Sequence, residues 1–444
     1  MASNLFNNAN GYFAHMAQNL SSTDLLFIFL FVFRYLRFIV HLITGCVLYS
    51  PARQKEKPRY TSCDVAVIIP TVAPHTKAFL NCCETILGNR PISLVIATVG
   101  VKLKDDVLQI IDTHKLRERF PDTATITVIT TNKANKRKQI ARASLEIDPT
   151  VAPITVCVDD HVYWKPTFLT SLLAAFDDPA VGFVGTNKKV IRDKEGGFWK
   201  SYTNFLACIY LCRHNFQIRS EPYIDGGVFV VSGRTSALRT DILRNENFID
   251  GFQNERFLFG LLGPLNPDDD NYITRWVLRN GWKIRIQYTP DSSLRQAHTW
   301  RHFPWSVYAI YITSLVNFAI VWDPLLVRTL MRTNFYLESD YPSLLVALMV
   351  GWILGSKMVK IAPHFVNHPS DLVWLPGYLA FAYWHSFVKL YCGVTFWNHG
   401  WNGRNLGLTE IASVHNLDKE KLVAFTRPRT MRGITGLYRS EKAH

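Results

Sequence analysis

The chain is 444 residues long, 48% hydrophobic and 13% aromatic, and carries a formal net charge of +14. That length allows one large or two medium domains, and the charge suits a polyanionic partner such as a phosphate-bearing substrate or an anionic lipid. No two of the eight cysteines form a CxxC pair, and their spacing argues for neither a zinc site nor a disulfide framework. A nucleic acid is not an expected partner either, because the basic residues are scattered and the acidic triplet Asp268–Asp270 falls within the expected binding cleft.

Residues 1–50 read as a polar segment followed by a membrane helix. The first 23 are Asn-rich and lack the basic start and small-residue cleavage site of a signal peptide. Leu25 to Tyr49 is then apolar for long enough to cross a bilayer once, at about 20 residues per crossing; it reads as a signal anchor or as an amphipathic helix lying on the membrane. Within it a central arginine costs about 2.5–3.5 kcal/mol on insertion scales, so Arg34 and Arg37 should face protein or reach an interface, and at three residues apart they share a helix face. The linker 51–62 holds Arg53, Lys55, Lys57 and Arg59 against Glu56 alone. The positive-inside rule puts this flank, and the domain behind it, in the cytosol.

Residues 63–302 read as an α/β domain. Apolar strands at Asp64–Thr71, Ser93–Val99, Thr125–Thr130, Ile154–Val158 and Val181–Asn187 alternate with helices at Phe79–Leu87, Asp105–Phe120 and Phe168–Phe176, and with one that ends near Glu146. Such alternation predicts a doubly wound, mostly parallel sheet. A long aromatic helix follows at Gly197–Asn215, then a strand of small residues at Gly226–Ser232 and a helix at Tyr272–Asn280. Lys188, Lys189 and Arg192 read as a turn after their strand, with the two lysines solvated.

In an open α/β sheet, ligands bind at the C-terminal ends of the strands. Asp159, Asp160 and His161 stand at one such end. Mg²⁺ takes one or two protein carboxylates plus substrate phosphates, so these residues could hold a hard divalent cation, although Asp is also common at ordinary strand-to-turn junctions. Lys136, Arg137 and Lys138 lie at the edge of another strand. Asp268, Asp269 and Asp270 open a helix, where one acidic residue suffices as a cap; three in a row repel unless something positive is near.

Residues 303–397 hold three apolar stretches flanked by Trp and Tyr: Trp305–Leu326, Leu344–Ile361 and Leu372–Val394. Three crossings would put the C-terminus outside. The tail 398–444, with eight Lys/Arg against four Asp/Glu, argues for inside, so the first stretch reads as interfacial or re-entrant.

Taken in order, Val67–Thr71, Asn135–Gln139, Val158–Val162, Gly185–Val190, Val231–Thr235, Asp268–Trp276, Gln296–Trp300 and Phe396–Trp401 resemble the membrane-integrated family 2 glycosyltransferases, of the hyaluronan, chitin and cellulose synthase type, and more narrowly the fungal capsular-polysaccharide-synthase-like branch. The resemblance covers residues 65–405. It implies a glycosyltransferase A-type sheet fused to membrane helices, a UDP-sugar donor, and Mn²⁺ or Mg²⁺. The reaction implied is inverting polymerisation of a sugar into a cell-surface polysaccharide, translocated by a multi-pass plasma-membrane protein whose catalytic domain faces the cytosol. A lipid acceptor, as in ceramide glucosyltransferases, or a degenerate UDP-sugar-binding protein is the alternative. By the same resemblance, Pro70 and Thr71 border the nucleoside pocket, and Lys136 and Arg137 lie beside the diphosphate. Asp159 faces the metal, with Asp160 or His161 as further ligands. Asp270, with Asp269 beside it, is the general base of the acceptor-side motif, and Ser232 and Gly233 line the acceptor end. Gln296 and Trp300 are the ends of the channel-mouth motif. Three positions depart from the pattern: His161 replaces an aspartate, Asn135 a glycine and Thr299 an arginine, the last with Arg295 and Arg301 close enough to supply the charge.

Overall fold

The computed structural model describes residues 20–123, 125–194, 197–223, 228, 230–256, 260, 263–265, 269–288, 294–296 and 318–395. Seven strands build the main sheet: β1 Val65–Pro70, β2 Ser93–Val99, β3 Thr125–Thr131, β4 Ile154–Val158, β6 Val181–Thr186, β8 Thr235–Arg239 and β9 Lys283–Gln287. Their order is β3-β2-β1-β4-β8-β6-β9. All neighbours run parallel except β8, which is antiparallel to both β4 and β6. Three short strands, β5 Val162–Tyr163, β7 Lys188–Val190 and β10 Leu294–Gln296, form a second sheet in the order β5-β10-β7.

The parallel core follows from its sequence. β1 is apolar at every position and β4 at all but Thr155, whose hydroxyl pairs with Thr240 Oγ1 at 2.8 Å, and both are fully buried, as strands covered on both faces must be. Their side chains alternate between two cores with the period of two that a strand imposes. Val65, Val67 and Ile69 pack into one core with Phe79, Cys82 and Ile86 of helix α2, Lys77–Leu87. Ala66 and Ile68 pack into the other with Ile140 and Ala143. Each such aliphatic side chain contributes about 1.5–3 kcal/mol on burial.

Helix α3, Gly100–Thr113, begins earlier than its apolar spacing predicts and is separate from the short turn Leu116–Arg119. Helix α4, Lys136–Ser144, covers the sheet beside β1 and is buried along Arg137, Gln139, Ile140, Ala141 and Ala143. Helix α5 spans Phe168–Leu173, α6 Gly197–Ser220, α7 Glu246–Asn254 and α8 Asp269–Arg279. The strand expected at Gly226–Ser232 is not formed by its described residues, Val228 and Val230–Ser232, which are irregular. The strand next to β4 is Thr235–Arg239 instead, since Thr235 to Arg239 carry the antiparallel ladder to Val158–Ile154.

Helix α1, Ser22–Ile43, continues as one π-helical turn to Leu48. Ser21 caps it, accepting from the Asp24 N–H while the Asp24 carboxylate accepts from Ser21 N–H, the reciprocal capping box. Helix α9 spans Ala319–Leu330, α10 Pro342–Val359 and α11 Leu375–Val394. By length and composition, Ser22–Leu48 and Pro342–Val359 are able to cross a membrane, with mean hydropathies of 2.1 and 1.6. Arg34 turns inward, pairing with Asp323 at 3.0 Å, and Arg37 faces Glu221 at 3.7 Å. Trp305–Asn317 and the tail 398–444 lie outside the described residues.

Candidate active site

The C-terminal ends of β1 and β4 meet the N-termini of α4 and α8. Thr71, buried just past β1, is fixed by its backbone N–H to Ala97 O at 2.9 Å, and Gln139 of α4 donates to Thr71 O and Ala97 O at 3.2 and 2.7 Å. Thr71 Oγ1 donates to Asp160 Oδ2 at 2.7 Å. Asp160 Oδ1 lies 3.1 Å from His161 Nδ1. The Asp160 carboxylate is thus directed into the protein towards β1, and Asp159 takes the outward position. The Asp159 backbone is anchored by its N–H to Arg234 O at 2.9 Å.

Lys136 opens α4 and aims at the acidic residues. Its Nζ lies 2.9 Å from Asp159 Oδ1 and 3.0 Å from Asp269 Oδ2, with the three side chains 14–17% exposed. Burial opposes the charge on Lys136, yet the Asp159 and Asp269 carboxylates hold its pKa well above the usual lysine value. Arg137 does not join this group. It is fully buried, donates to Phe252 O at 3.0 Å and pairs with Glu255 at 2.8 Å, its guanidinium over the rings of Phe252 and Tyr272. Successive helix residues diverge by a quarter turn and more, so an adjacent basic pair at a helix start sends one cation to the cleft and the other to the core.

Asp269 and Asp270 occupy the first turn of α8; Asp268 lies outside the described residues. Gly233 N–H donates to Asp270 Oδ2 at 3.1 Å and Asn271 N–H to Oδ1 at 2.9 Å. Burial first, and then the charge of Asp269, raise the Asp270 pKa above the ordinary aspartate value; Gly233 N–H and Lys136 oppose the rise. Gly233 is needed for close approach: a Cβ there would stand 3.2 Å from Asp269 Oδ2 and 3.3 Å from Lys136 Nζ. Ser232, buried beside it, accepts weakly from Arg234 N–H at 3.5 Å. Pro70 ends β1 opposite Ala97.

The second sheet carries Gln296 to this edge. Gln296 pairs with Val162, directly after His161, and with Val190. Trp300 and Arg301 lie outside the described residues. Sequence reasoning missed Lys188, read as part of a solvated turn. It is 1% exposed, its Nζ is 3.1 Å from His214 Nε2, and Asn215 holds its backbone at both N–H and carbonyl. Burial, and then Arg234, push the Lys188 pKa well below the usual value, against Asp270. The available signal was its place in an alternating strand, β7, packed under an aromatic helix.

One ammonium thus faces three carboxylates, and a diphosphate would add further negative charge. At 4 Å each like-charge contact costs about 4 kcal/mol at an effective dielectric of 20. This charge balance fits a divalent cation held mainly by substrate oxygens with Asp159 as its protein ligand. It does not fit a cage built from protein side chains: among the described residues no three His, Cys, Asp or Glu side chains are gathered for a metal.

Residues 63–313 match the model of the glycosyltransferase-like family 2. The chain is similar to a type 2 glycosyltransferase of Pyricularia oryzae, 32% identical over 87% of this chain and 83% of that one. One from Zymoseptoria tritici is 31% identical over 85% and 83%. Among solved structures, a Pyrobaculum calidifontis mannosyltransferase in complex with GDP-Man and Mn²⁺ is a distant likeness, with 13% identity, a TM-score of 0.44 and coverage of 84% of this chain and 99% of that one.

Proposed function

The chain belongs to the glycosyltransferase-like family 2, and from that premise we propose that it transfers a sugar from a UDP-sugar donor with inversion, Asp270 taking the proton of the attacking hydroxyl. The observation that carries this reading is the cluster Asp159–Lys136–Asp269–Asp270, assembled from three separate places in the chain, the end of β4 and the starts of α4 and α8, at the ligand-binding edge of the sheet. A general base works best when its pKa is drawn towards the working pH, and Asp270, raised by burial and by Asp269, has that bias. Two backbone N–H donors fix its carboxylate, so it needs little reorganisation to accept a proton. Thr71 and Pro70 border the nucleoside, Lys136 neutralises the diphosphate, and Ser232 and Gly233 border the acceptor. Mn²⁺ or Mg²⁺, when bound through Asp159 and the diphosphate, would stabilise the charge of the departing nucleotide.

The acceptor we propose is a growing glycan, polymerised by a membrane-integrated synthase of the capsular-polysaccharide type and passed outward. Support comes from the two membrane-length helices and from α6, which packs on β7 on one side and on α1 on the other. The test is UDP release from detergent-purified protein with Mn²⁺ across a panel of UDP-sugars, with the product sized. Release with one sugar and a long product is expected. A short lipid-linked product would move the acceptor to a membrane lipid, and no release despite measurable UDP-sugar binding would overturn the catalytic reading.

A further inference from the structure

Helices α1, α6, α9, α10 and α11 enclose a cavity of about 190 Å³, well above the roughly 30 Å³ share of one water. Among the described residues its wall contains six Arg or Lys side chains, three His and no Asp or Glu. Arg34 and Arg37 come from α1, Arg213 from α6, Lys357 and Lys360 from the end of α10 and just beyond, and Lys389 from α11. Four separate helices therefore converge positive charge on one enclosed space beside helices apolar enough for a bilayer. Two of these cations share one carboxylate, Asp323, at 3.0 and 2.5 Å. Asp323 itself belongs to the wall of a neighbouring groove of about 700 Å³. Apart from Asp323, two arginines and Tyr383, that groove is apolar: Pro324 and Val327 of α9, Met331 at its C-cap, and Val350, Ile353 and Leu354 of α10.

We propose that the cavity holds the phosphate group of a membrane lipid and that the groove holds the lipid's chain. Concentrated positive charge in an enclosed, poorly solvated space is stabilised by a multiply charged anion. Arginine forks match phosphate oxygens in geometry as well as charge. The apolar groove sharing Asp323 with the cationic wall supplies what a free phosphate would not need. One wall residue, His214, contacts Lys188 Nζ at 3.1 Å, and Lys188 is in turn influenced by the charge of Asp270. The inference does not rest on sugar transfer, since binding is read without turnover.

The experiment measures the affinity of the full-length, detergent-purified protein for fluorescent phosphatidic acid and for diacylglycerol with the same chains, and for inorganic phosphate alone. Phosphatidic acid is expected to bind at least about tenfold tighter than diacylglycerol. Lys360→Gln and Lys389→Gln should each remove about tenfold of that preference, and Val350→Trp, which fills the groove, should weaken phosphatidic acid without changing inorganic phosphate. Lys389→Gln serves should Lys360→Gln fail to fold, judged by an unchanged melting temperature and elution volume. Equal binding of the two lipids, or binding indifferent to both lysines, overturns the proposal. Lysine-dependent binding of inorganic phosphate without any preference for phosphatidic acid also overturns it, because the source would then be the free ion.

Discussion

At the scale of single residues, Asp270 and Lys136 both have raised pKa values, with opposite consequences: Lys136 is held charged, whereas Asp270 is biased towards its neutral form. Asp270 must be ionised to accept a proton, and its pKa is raised, so kcat should fall as pH drops through a midpoint above the ordinary aspartate value of about 4. Lys136 opposes that rise, so Lys136→Met should move the acid limb of the pH–rate profile upward while weakening UDP affinity about 100-fold. The same substitution leaves Asp159 and Asp269 facing each other. Breaking such a pair costs about 3 kcal/mol, at the lower end of the range for buried pairs because the three side chains keep some solvent contact, and a chemical-melting curve would read it. The sign is opposite for Asp270. A carboxyl whose folded pKa lies above its unfolded pKa stabilises the fold only below the unfolded value, and that contribution is lost as pH rises through the folded value. At neutral pH Asp270→Asn should therefore abolish transfer, leave UDP binding largely intact and raise the melting temperature. A collapse of UDP affinity would contradict its role as base.

At the scale of elements, Asn135 shows how a departure from a family pattern can be a local structural choice. It stands where a glycine is usual, and its side chain accepts from Lys138 N–H at 3.0 Å as the N-cap of α4. Caps rank Asn above Gly and both far above Ala. Asn135→Ala should cost about 1 kcal/mol and misplace Lys136, whereas Asn135→Gly should cost only about a few tenths; thermal denaturation with a parallel UDP-binding measurement separates the two. What the sequence made legible divides along the same physical line. β1 is a continuous apolar run and β4 is one but for Thr155, and apolar runs in this length range read directly as buried strands. Thr235–Arg239 is no such run: Thr235, Ser236 and Arg239 interrupt it, and it is a strand because β4 and β6 flank it. Val228, Val230 and Val231 are buried by packing alone, so apolar content placed that strand too early. In the candidate site, the residue types and the strand and helix ends that carry them pointed to the gathering of Asp159, Lys136 and Asp270 at one edge. The inward turn of Arg137 and the burial of Lys188 were not, because both depend on which face of an element meets the core.

At the scale of the whole molecule, one carboxylate ties the membrane-length helices together. Asp323 of α9 accepts from Arg34 of α1 at 3.0 Å, Lys357 of α10 at 2.5 Å and Tyr383 of α11 at 3.1 Å, and its side chain is 4% exposed. Four helices thus meet on two oxygens. Attraction among buried charges offsets their desolvation only while all partners are present; removing one partner costs about 3–5 kcal/mol, whereas replacing the whole set by apolar residues of similar volume is often neutral. Asp323→Leu should therefore lower the apparent melting temperature in detergent, because two cations lose their shared counter-ion in a low-dielectric setting. The triple change Arg34→Met, Asp323→Leu, Lys357→Met should recover most of the loss, although it removes three polar groups instead of one. That non-additivity is the diagnostic, since residues in one network couple and distant ones add. A triple variant as unstable as the single one would mean that Asp323 acts through its shape beside Pro324, and the four helices would then be held by apolar packing alone.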